Sequence, residues 1–507
     1  MADPINIKFS PVYCTITTQL EEAMNQELYD HLAYRPEGYF FSPQYQSGQW
    51  DGYKHLYQPV RQKFRIGVLS KVLDFFEKRG STVCVTGIPA PSAYTPRATS
   101  YVFRFYQTKA AECALEKRFG IIQAPPRSGK TLIAAGIMDS ERKFPAVFFV
   151  RSKDLMRQTV NRFREYLKDT DEPVTVGMVG DGICDIQDIN VVTIQSAFMA
   201  YDKECEEKKL SPEAPIENKF AVKRMISSAQ VVFYDEVHHA QSRTSRFILD
   251  KCVNATLKIG LSATPFRTED TVEGEEPDAD EKEQELLFRE EQISVEECLG
   301  PILYEIGYEE LIAAGFLLRP VIYTYKLPKM RIEGNYQSVY KQGVVDNEVL
   351  SGLIAKLVKK LTSMGKSVVV QTELRGHSRQ LGELLDAPVL LGDDTTEDRI
   401  RIIDGLTSKK ILCVVSTLFE EGLDIPTLDY TINAAGGLSN ISTFQRMRSI
   451  TRSDGKETCG VIDFVHQCKY LQRHSKVRLK HYKSVPSFTV IERDVSHLTM
   501  ETLDAIK

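Results

Sequence analysis

The sequence holds little that would support a metal centre, a disulfide framework or a membrane span. Its ten cysteines are scattered singly, with no CxxC pair and no histidine at zinc-ligand spacing. We interpret them as reduced core thiols, with a zinc site or a disulfide framework as the less favoured alternative. No stretch is apolar over the roughly 18 residues that a membrane span needs, and the N-terminus MADPINIKFSPVYC lacks a basic region followed by an apolar run. These absences predict a cytoplasmic protein.

Net positive charge is also lacking, but the charge is unevenly distributed. The net charge is −5, whereas residues 268–291 alone carry twelve acidic and two basic side chains, a local −10 that leaves +5 for the rest. An acidic average therefore does not exclude a nucleic-acid partner, because phosphate binding depends on where the positive groups lie. We interpret the acidic segment as a surface loop, with a DNA-mimicking or autoinhibitory role as the alternative.

The length of 507 residues and the hydrophobic content of 42% predict two or three globular domains. Residues 1–95 are aromatic-rich and end in the turn-rich GIPAPSAYTPR, which predicts a small α+β domain. In 96–318, and again in 319–485, apolar runs such as PAVFFV and KSVVVQT alternate with helical periods. This alternation predicts an α/β fold with two parallel-sheet lobes in tandem, and we expect 486–507 to be a C-terminal tail.

The segment FGIIQAPPRSGKT has the pattern of a phosphate-binding loop between a strand and a helix, with Ala124 in place of its first glycine. Backbone N–H groups of such a loop bind the β-phosphate of ATP, Lys130 supplies a cation for the β and γ oxygens, and Thr131 can bind Mg²⁺. The alternative is a GKT turn that arises by chance. The predicted nucleotide contacts are Pro126, Arg127, Ser128, Gly129, Lys130 and Thr131.

A carboxylate pair, Asp235 and Glu236, follows the apolar strand AQVVFYDE about a hundred residues later. The C-terminal end of a buried strand is where open α/β sheets bind ligands. We expect Asp235 to hold Mg²⁺ and Glu236 to orient and deprotonate the water that attacks the γ-phosphate. Taken alone, such a pair is more simply a solvated strand end. Together with a phosphate-binding loop, it indicates ATP hydrolysis.

These segments resemble superfamily 2 helicases of the DExH kind, with Asp-Glu-Val-His at 235–238, over roughly residues 100–485. The resemblance implies two RecA-like lobes, adenine recognition by Gln107, and coupling of hydrolysis to lobe movement through His238, Ser262 and Thr264. VRSKDLMRQ, VTIQS, VVVQTELRGHS and VVSTLFEEGLDIP are similar to further motifs of the family. They imply nucleotide contacts at Gly422 and Asp424, and nucleic-acid contacts at Arg151, Ser152, Thr193, Gln195, Ser196, Thr372, Arg375, His377, Ser416 and Thr417.

The last motif departs from the family pattern. QRxGRxxR becomes QRMRSITR, so that Ser449 stands where the family has an arginine and Arg448 comes one place earlier. Arg452 is the predicted arginine finger, which would stabilise charge on the γ-phosphate, and Gln445 is a predicted coupling residue. Arg448 either replaces the missing arginine or forms an ion pair that stabilises its lobe, and the sequence leaves both possibilities open.

The N-terminal run EGYFFSPQYQSGQWDGYKHLY resembles the accessory domain of phage UvsW-type helicases, which remodel branched DNA. Trp50 and Tyr53 would offer stacking faces to a DNA fork, and Lys54 would offer a cation. A small hydrophobic core with Trp50 inside it is the alternative, slightly favoured by residue type. The basic stretch 470–483 either lies on a phosphate backbone or packs on the second lobe.

The prediction is an ATP-dependent DNA helicase or translocase, with Mg²⁺, that acts on Holliday junctions, forks and R-loops in recombination, repair or replication. We expect DNA as the partner, RNA within R-loops as a further one, a monomer, and the host cytoplasm if a phage encodes the protein. An RNA helicase is an alternative, because the motifs do not show which sugar they prefer. A DNA clamp with impaired ATP hydrolysis is a second alternative, and the altered last motif favours it. A restriction motor subunit is less favoured, since no nuclease or methyltransferase segment is left to assign.

Overall fold

The computed structural model describes residues 4–36, 39–170, 172–201, 216–263, 292–392, 394–418, 425, 427–436, 456 and 459–497. Several predicted positions lie outside these ranges, namely Thr264, the acidic segment 268–291, Gly422, Asp424, Gln445, Arg448 and Arg452. The chain divides into two compact units, Met1–Ala124 with Gly129–Glu305, and Pro125–Ser128 with Ile306–Lys507. None of the described helices is both long and apolar enough to cross a membrane.

The first unit begins with a small α+β domain. Its strands are β1 (Ile5–Lys8), β2 (Tyr13–Ile16), β3 (Ala33–Tyr34), β4 (Lys54–His55), β5 (Tyr57–Gln58), β6 (Lys63–Arg65) and β7 (Val83–Thr86), and its helices are α1 (Glu22–His31), α2 (Pro43–Gln46) and α3 (Leu69–Glu77). Five strands form a sheet in the order β5-β6-β2-β1-β7, and β3 pairs with β4. Alternate residues of β1, Ile5 and Ile7, enter the core together with Phe75 and Phe76 of the amphipathic helix α3.

The first lobe follows in the same unit. Its strands are β8 (Phe119–Gln123), β9 (Ala146–Val150), β10 (Val176–Gly180), β11 (Ile183–Asp185), β12 (Ile189–Thr193), β13 (Val231–Asp235), β14 (Leu257–Ser262) and β15 (Ile302–Glu305). Its helices are α4 (Phe105–Lys117), α5 (Lys130–Glu141), α6 (Lys153–Tyr166), α7 (Ile194–Tyr201), α8 (Ile216–Ser228), α9 (Arg243–Leu249) and α10 (292–299).

These strands form one sheet in the order β11-β10-β12-β9-β13-β14-β8-β15, in which every pair except β10 with β11 is parallel. Strands β9, β12 and β14 are buried along their whole length, as expected for strands covered on both faces. The α/β prediction is confirmed for this lobe. The carboxyl ends of the adjacent strands β8, β14 and β13 lie at one edge, where the predicted site residues follow.

The α+β domain packs on the first lobe through charged groups. Arg65, at the end of β6, donates to both carboxylate oxygens of Asp250 at 2.6 and 2.7 Å and pairs with Glu297 of α10 at 3.2 Å. The buried Lys258 of β14 donates to the carbonyl of Pro11 at 2.8 Å. The segment predicted as a small separate domain is therefore joined to the lobe by buried ion pairs.

The second unit contains the second lobe. Its strands are β16 (Pro320–Lys329), β17 (Val368–Gln371), β18 (Val389–Leu390), β19 (Cys413–Ser416), β20 (Tyr430–Asn433), β21 (Cys459–Gln467) and β22 (Thr489–Asp494), and its helices are α11 (Tyr308–Ala313), α12 (Tyr336–Tyr340), α13 (Glu348–Ser363), α14 (Arg375–Leu385), α15 (Thr396–Thr407) and α16 (Leu471–Lys483). The strands form a parallel sheet in the order β18-β19-β17-β20-β21-β16-β22.

The interpretation of 486–507 as a tail is wrong for its first part. Strand β22 pairs in parallel with β16 over six residues, from Thr489 to Asp494, and becomes the edge strand of the lobe. The sequence FTVIERD is short, does not alternate and ends in three charged residues, so that its pattern did not indicate a strand. The other predicted domain boundaries stay predictions.

Candidate nucleotide and nucleic-acid site

The predicted phosphate-binding loop connects strand β8 to helix α5. Residues 125–128 form its turn, in which Arg127 has a φ of 71° and the N–H of Ser128 donates to the carbonyl of Pro125. Gly129, which has a φ of 84°, directly precedes the first residue of α5. The side chain of that first residue, Lys130, donates to the carbonyl of Ala124 at 3.2 Å. A nucleotide phosphate would offer this ammonium group a charged acceptor instead of a neutral carbonyl, which makes a stronger hydrogen bond.

Gln107 lies against this loop. Its side chain is 2% exposed, and its Oε1 accepts from the backbone N–H of Arg104 at the start of α4. A Cβ atom at Gly129 would stand 2.3 Å from Gln107 Nε2, and the φ of 84° also favours glycine there. The structure thus brings Gln107 to the phosphate-binding loop, and its contact with adenine stays a prediction.

The carboxylate pair lies at the end of β13, as predicted. Burial, and next to it the charge of Glu236, raises the pKa of Asp235 to about 7, whereas the charge of Lys130 opposes the shift. Ionisation of a buried carboxyl group next to a second carboxylate is unfavourable unless a cation lies nearby. The donor set therefore fits a divalent cation, which Asp235 would hold together with Thr131 in the first turn of α5.

Two predicted coupling residues converge on Glu236, which adopts the left-handed conformation with φ 52°. Ser262, at the end of β14, donates from Oγ to Glu236 Oε2 at 3.3 Å. His238 Nδ1 lies 3.6 Å from the same oxygen, longer than a hydrogen bond but close enough for an ion pair when the imidazole is protonated. The strand ends of β13 and β14 thus position the catalytic candidate and its two neighbours.

A cleft of about 500 Å³ opens on the first lobe beside this pair. Arg151, Gln195, His238 and His239 line it, together with Tyr234 of β13. Arg151 and Gln195, two predicted nucleic-acid contacts from different motifs, therefore share one cavity. Sequence reasoning gave His239 no role, although its position directly after Asp-Glu-Val-His was the available signal.

Three other predicted contacts of this lobe have helix-capping roles. Ser152 accepts from the N–H of Leu155 at the start of α6. Thr193 Oγ1 donates to Ser196 Oγ at 2.8 Å and accepts from the Ser196 N–H at the start of α7. These hydroxyls organise the helix starts, and their contact with a nucleic-acid backbone stays a prediction.

In the second lobe the predicted contacts divide by exposure. The side chains of Thr372 and Ser416 are buried, with Thr372 Oγ1 2.5 Å from Ser378 Oγ, and Ser416 Oγ donating to the carbonyl of Leu390 at 2.7 Å. Arg375 is exposed and Thr417 is half-buried. Of these four, only Arg375 and Thr417 present side chains toward solvent.

His377 is 1% exposed, and burial lowers its pKa to about 4, an effect that Asp346 opposes. The imidazole is therefore neutral at pH 7. Because a neutral, buried ring attracts a phosphate poorly, the predicted phosphate contact has no support from this conformation.

The two predicted stacking residues of the N-terminal domain, Trp50 and Tyr53, lie outside its buried core. Trp50 is only partly buried and donates from Nε1 to the carbonyl of Tyr53, so the alternative that placed it in the core is wrong. Tyr53 is 37% exposed, and the guanidinium of Arg35 lies 4.5 Å from its ring centroid. Sequence reasoning missed Arg35, which adds a cation to this aromatic surface.

The basic stretch 470–483 forms helix α16, which packs on the second lobe. Its Arg478 is buried and pairs with Asp463 at 2.8 Å, and Tyr482 donates to the same carboxylate at 2.9 Å. Lys476, Lys480 and Lys483 are exposed. The alternative of a packed helix with one solvated face is confirmed.

Comparisons with known proteins agree with the geometry. Residues 100–267 match the family of the type III restriction enzyme res subunit, and residues 4–86 match the family of the N-terminal domain of the DNA helicase UvsW. A protein of Sulfolobus islandicus filamentous virus, named as a helicase candidate, is 25% identical over 68% of this chain and 60% of its own length. The DNA 3'-5' translocase XPB2 of Sulfurisphaera tokodaii is 24% identical over 70% of this chain and 79% of its own length.

The chain thus spans less than two thirds of the viral relative that it matches. The solved structure of the ATP-dependent type ISP restriction-modification enzyme LlaBIII bound to DNA covers 80% of this chain and 32% of its own, at 14% identity and a TM-score of 0.51, which shows a shared fold.

Fold, motif order and matched segments together point to one class: the chain resembles helicases of the superfamily 2 type. Within that class, the match of its N-terminal domain makes it resemble the UvsW helicases.

Proposed function

We propose that the protein is an ATP-dependent DNA helicase or translocase that unwinds or branch-migrates branched DNA, such as Holliday junctions, forks and R-loops. The observation that carries the proposal is the carboxylate pair Asp235 and Glu236 at the end of β13, with Ser262 of β14 bonded to Glu236 and the charge of Lys130, at the start of α5, acting on Asp235. A cation, an acidic pair and a hydroxyl at one sheet edge are the groups that ATP hydrolysis needs.

Each of these groups has a step in hydrolysis. The loop and Lys130 bind the β- and γ-phosphates, and Asp235 and Thr131 would hold Mg²⁺, whose charge would offset that of the phosphates. Glu236 orients a water for in-line attack and takes its proton. Ser262 and His238, which adjoin Glu236 Oε2, fix the direction in which this carboxylate points. The roles of Gln107, Gly422, Asp424, Gln445, Arg448 and Arg452 stay predictions.

Nucleic acid would bind mainly through its backbone. The cleft that holds Arg151 and Gln195 opens beside the catalytic pair, and the aromatic surface with Tyr53 and Arg35 offers stacking faces with a cation. Binding should therefore be salt-sensitive and largely independent of sequence.

Two comparisons favour DNA over RNA. The N-terminal domain matches that of a DNA helicase, and the archaeal relative is named a DNA 3'-5' translocase. We therefore propose DNA as the substrate of this chain. We also propose that it acts on branched DNA in recombination or repair, and that it is a monomer.

The test is ATP turnover with single-stranded DNA, duplex DNA, a four-way junction and single-stranded RNA. We expect stimulation by DNA, strongest with the junction, and a loss of about 10³-fold or more in Lys130→Ala and in Glu236→Gln. Glu236→Gln should still bind a fluorescent ATP analogue, because the amide keeps the shape and only the base is removed.

Other results would contradict the proposal. Preferential stimulation by RNA would show an RNA helicase instead. DNA binding without turnover on any substrate would identify the hydrolysis-impaired clamp, for which Arg448 and Ser449 in the altered last motif are the sequence signal.

A further inference from the structure

His239 lies between the nucleic-acid cleft and the catalytic carboxylate, and none of the helicase motifs assigns it a role. Its Nε2 atom is 2.8 Å from Arg151 Nη1. A guanidinium group has donors only, so the imidazole nitrogen must accept this hydrogen bond. His239 is therefore neutral in this contact, with its proton on the other ring nitrogen.

The other side of His239 faces the catalytic pair. Its ring centroid lies 4.0 Å from that of His238, and His238 Nδ1 lies 3.6 Å from Glu236 Oε2. A short 3₁₀ turn, Val237–His239, holds the two imidazoles side by side, and the N–H of His239 donates to the carbonyl of Glu236 at 3.0 Å. A movement of the His239 ring therefore acts on its neighbour His238.

We propose that His239 is a positioning residue that couples occupancy of the Arg151 cleft to the orientation of the Glu236 carboxylate, an inference that rests on the proposed function. A nucleic-acid phosphate competes with His239 for Arg151, and it wins because a charged acceptor makes the stronger hydrogen bond. The His239 ring loses its donor and reorients, and its neighbour His238 moves relative to Glu236 Oε2. Nucleic-acid binding thereby changes the alignment of the general base.

The test compares His239→Ala with His239→Asn, whose amide oxygen keeps an acceptor for Arg151. ATP turnover is measured without nucleic acid and with saturating single-stranded DNA, and kcat and the KM for ATP are determined separately. We expect His239→Ala to lower the DNA stimulation of kcat about 10-fold while the KM for ATP stays within about twofold, and His239→Asn to recover most of the stimulation.

A double-mutant cycle with Arg151→Ala extends the test. At saturating DNA, the double variant His239→Ala/Arg151→Ala should lose about as much stimulation of ATP turnover as either single variant. The reason is that each substitution breaks the same contact, the one between Arg151 and His239. Circular dichroism checks that each variant is folded, and the cycle can use His239→Phe, whose ring has no acceptor, if His239→Ala fails to fold.

Three results would overturn the inference. The first is wild-type stimulation in His239→Ala, and the second is an equal loss of basal and stimulated turnover that asparagine does not rescue, since that indicates a structural role. The third is full additivity in the cycle. If the wild-type protein itself shows no stimulation by any nucleic acid, the proposed function fails first, and this inference fails with it.

Discussion

At the scale of single residues, the candidate site depends on backbone conformations that few residues adopt. Glu236 and Arg127 have positive φ although they carry side chains, and Gly129 has φ 84°. Such conformations cost about 1–3 kcal/mol each in a non-glycine residue and occur most often at functional sites. They indicate that the turns at the ends of β8 and β13 are held in place by their surroundings.

We expect Gly129→Ala to weaken nucleotide binding at least about 10-fold. The new Cβ would stand 2.3 Å from Gln107 Nε2, and alanine also disfavours a φ of 84°, so the loop must shift. Titration with a fluorescent ADP analogue measures the effect.

Gly365→Ala is the matched control for that substitution. Gly365 also has a positive φ, 69°, but a Cβ there meets nothing within 4 Å, so only the backbone strain is added. Its nucleotide affinity should equal that of the wild type. If the wild type, Gly129→Ala and Gly365→Ala bound the ADP analogue with equal affinity, the close approach of Gly129 to Gln107 would not be needed for nucleotide binding.

At the scale of elements, the joint between the α+β domain and the first lobe is dense in charge. Helix α10 supplies Glu296 and Glu297, strand β6 supplies Arg65, and Lys71 of α3 pairs with Glu296 at 3.2 Å. A Cβ at Gly67 would lie 1.6 Å from the carbonyl oxygen of Glu296, so the two backbones touch. The domain is consequently fixed on the lobe.

We expect Arg65→Ala to lower the free energy of unfolding of the first unit by about 1.5–3 kcal/mol, because Glu297 keeps Arg246 at 2.6 Å and the side chain of Asp250 is 27% exposed. Burial already raises the pKa of Glu297, and without Arg65 this carboxylate and Asp250 would lose a buried cation. Urea unfolding followed by circular dichroism measures the change.

Arg97→Ala serves as its control, because the ion pair of Arg97 with Glu172 is 43% and 69% exposed. Such a pair contributes about 0–1 kcal/mol. If Arg65→Ala and Arg97→Ala had the same small effect, the joint would not depend on its buried charges.

At the scale of the whole molecule, we expect the distribution of charge to set the rate at which the protein associates with nucleic acid. Residues 270–284 carry eight acidic and one basic side chain, so their deletion changes the net charge from −5 to +2. We expect the deletion to raise the association rate with single-stranded DNA about 10-fold at low salt, because repulsion of the phosphates is removed. Stopped-flow fluorescence at several salt concentrations measures this rate.

The difference should vanish in 0.5 M salt, where the screening length is only a few ångströms. An unchanged association rate at low salt, together with an unchanged ATPase rate, would exclude a regulatory or DNA-mimicking role of the acidic segment.

The sequence by itself determined the class of fold and the location of the chemistry. Apolar runs such as those at 146–150 and 231–233 favour buried strands, and glycine, lysine and the acidic pair come at or after strand ends by chain connectivity. Local pattern also identified the N-terminal domain. The charged strand Thr489–Asp494 was missed, because an edge strand is defined by its neighbour β16 and not by its own hydrophobicity.

Only the tertiary structure decided which of the predicted side chains are exposed and which are buried. Thr372, His377 and Ser416 carry the residue types of a phosphate contact, but packing buries them, whereas Trp50 is partly exposed although its type favours a core. The contact between Arg151 and His239 joins residues 88 positions apart in the chain. Burial and such long-range contacts depend on how elements pack, and no local pattern contains that information.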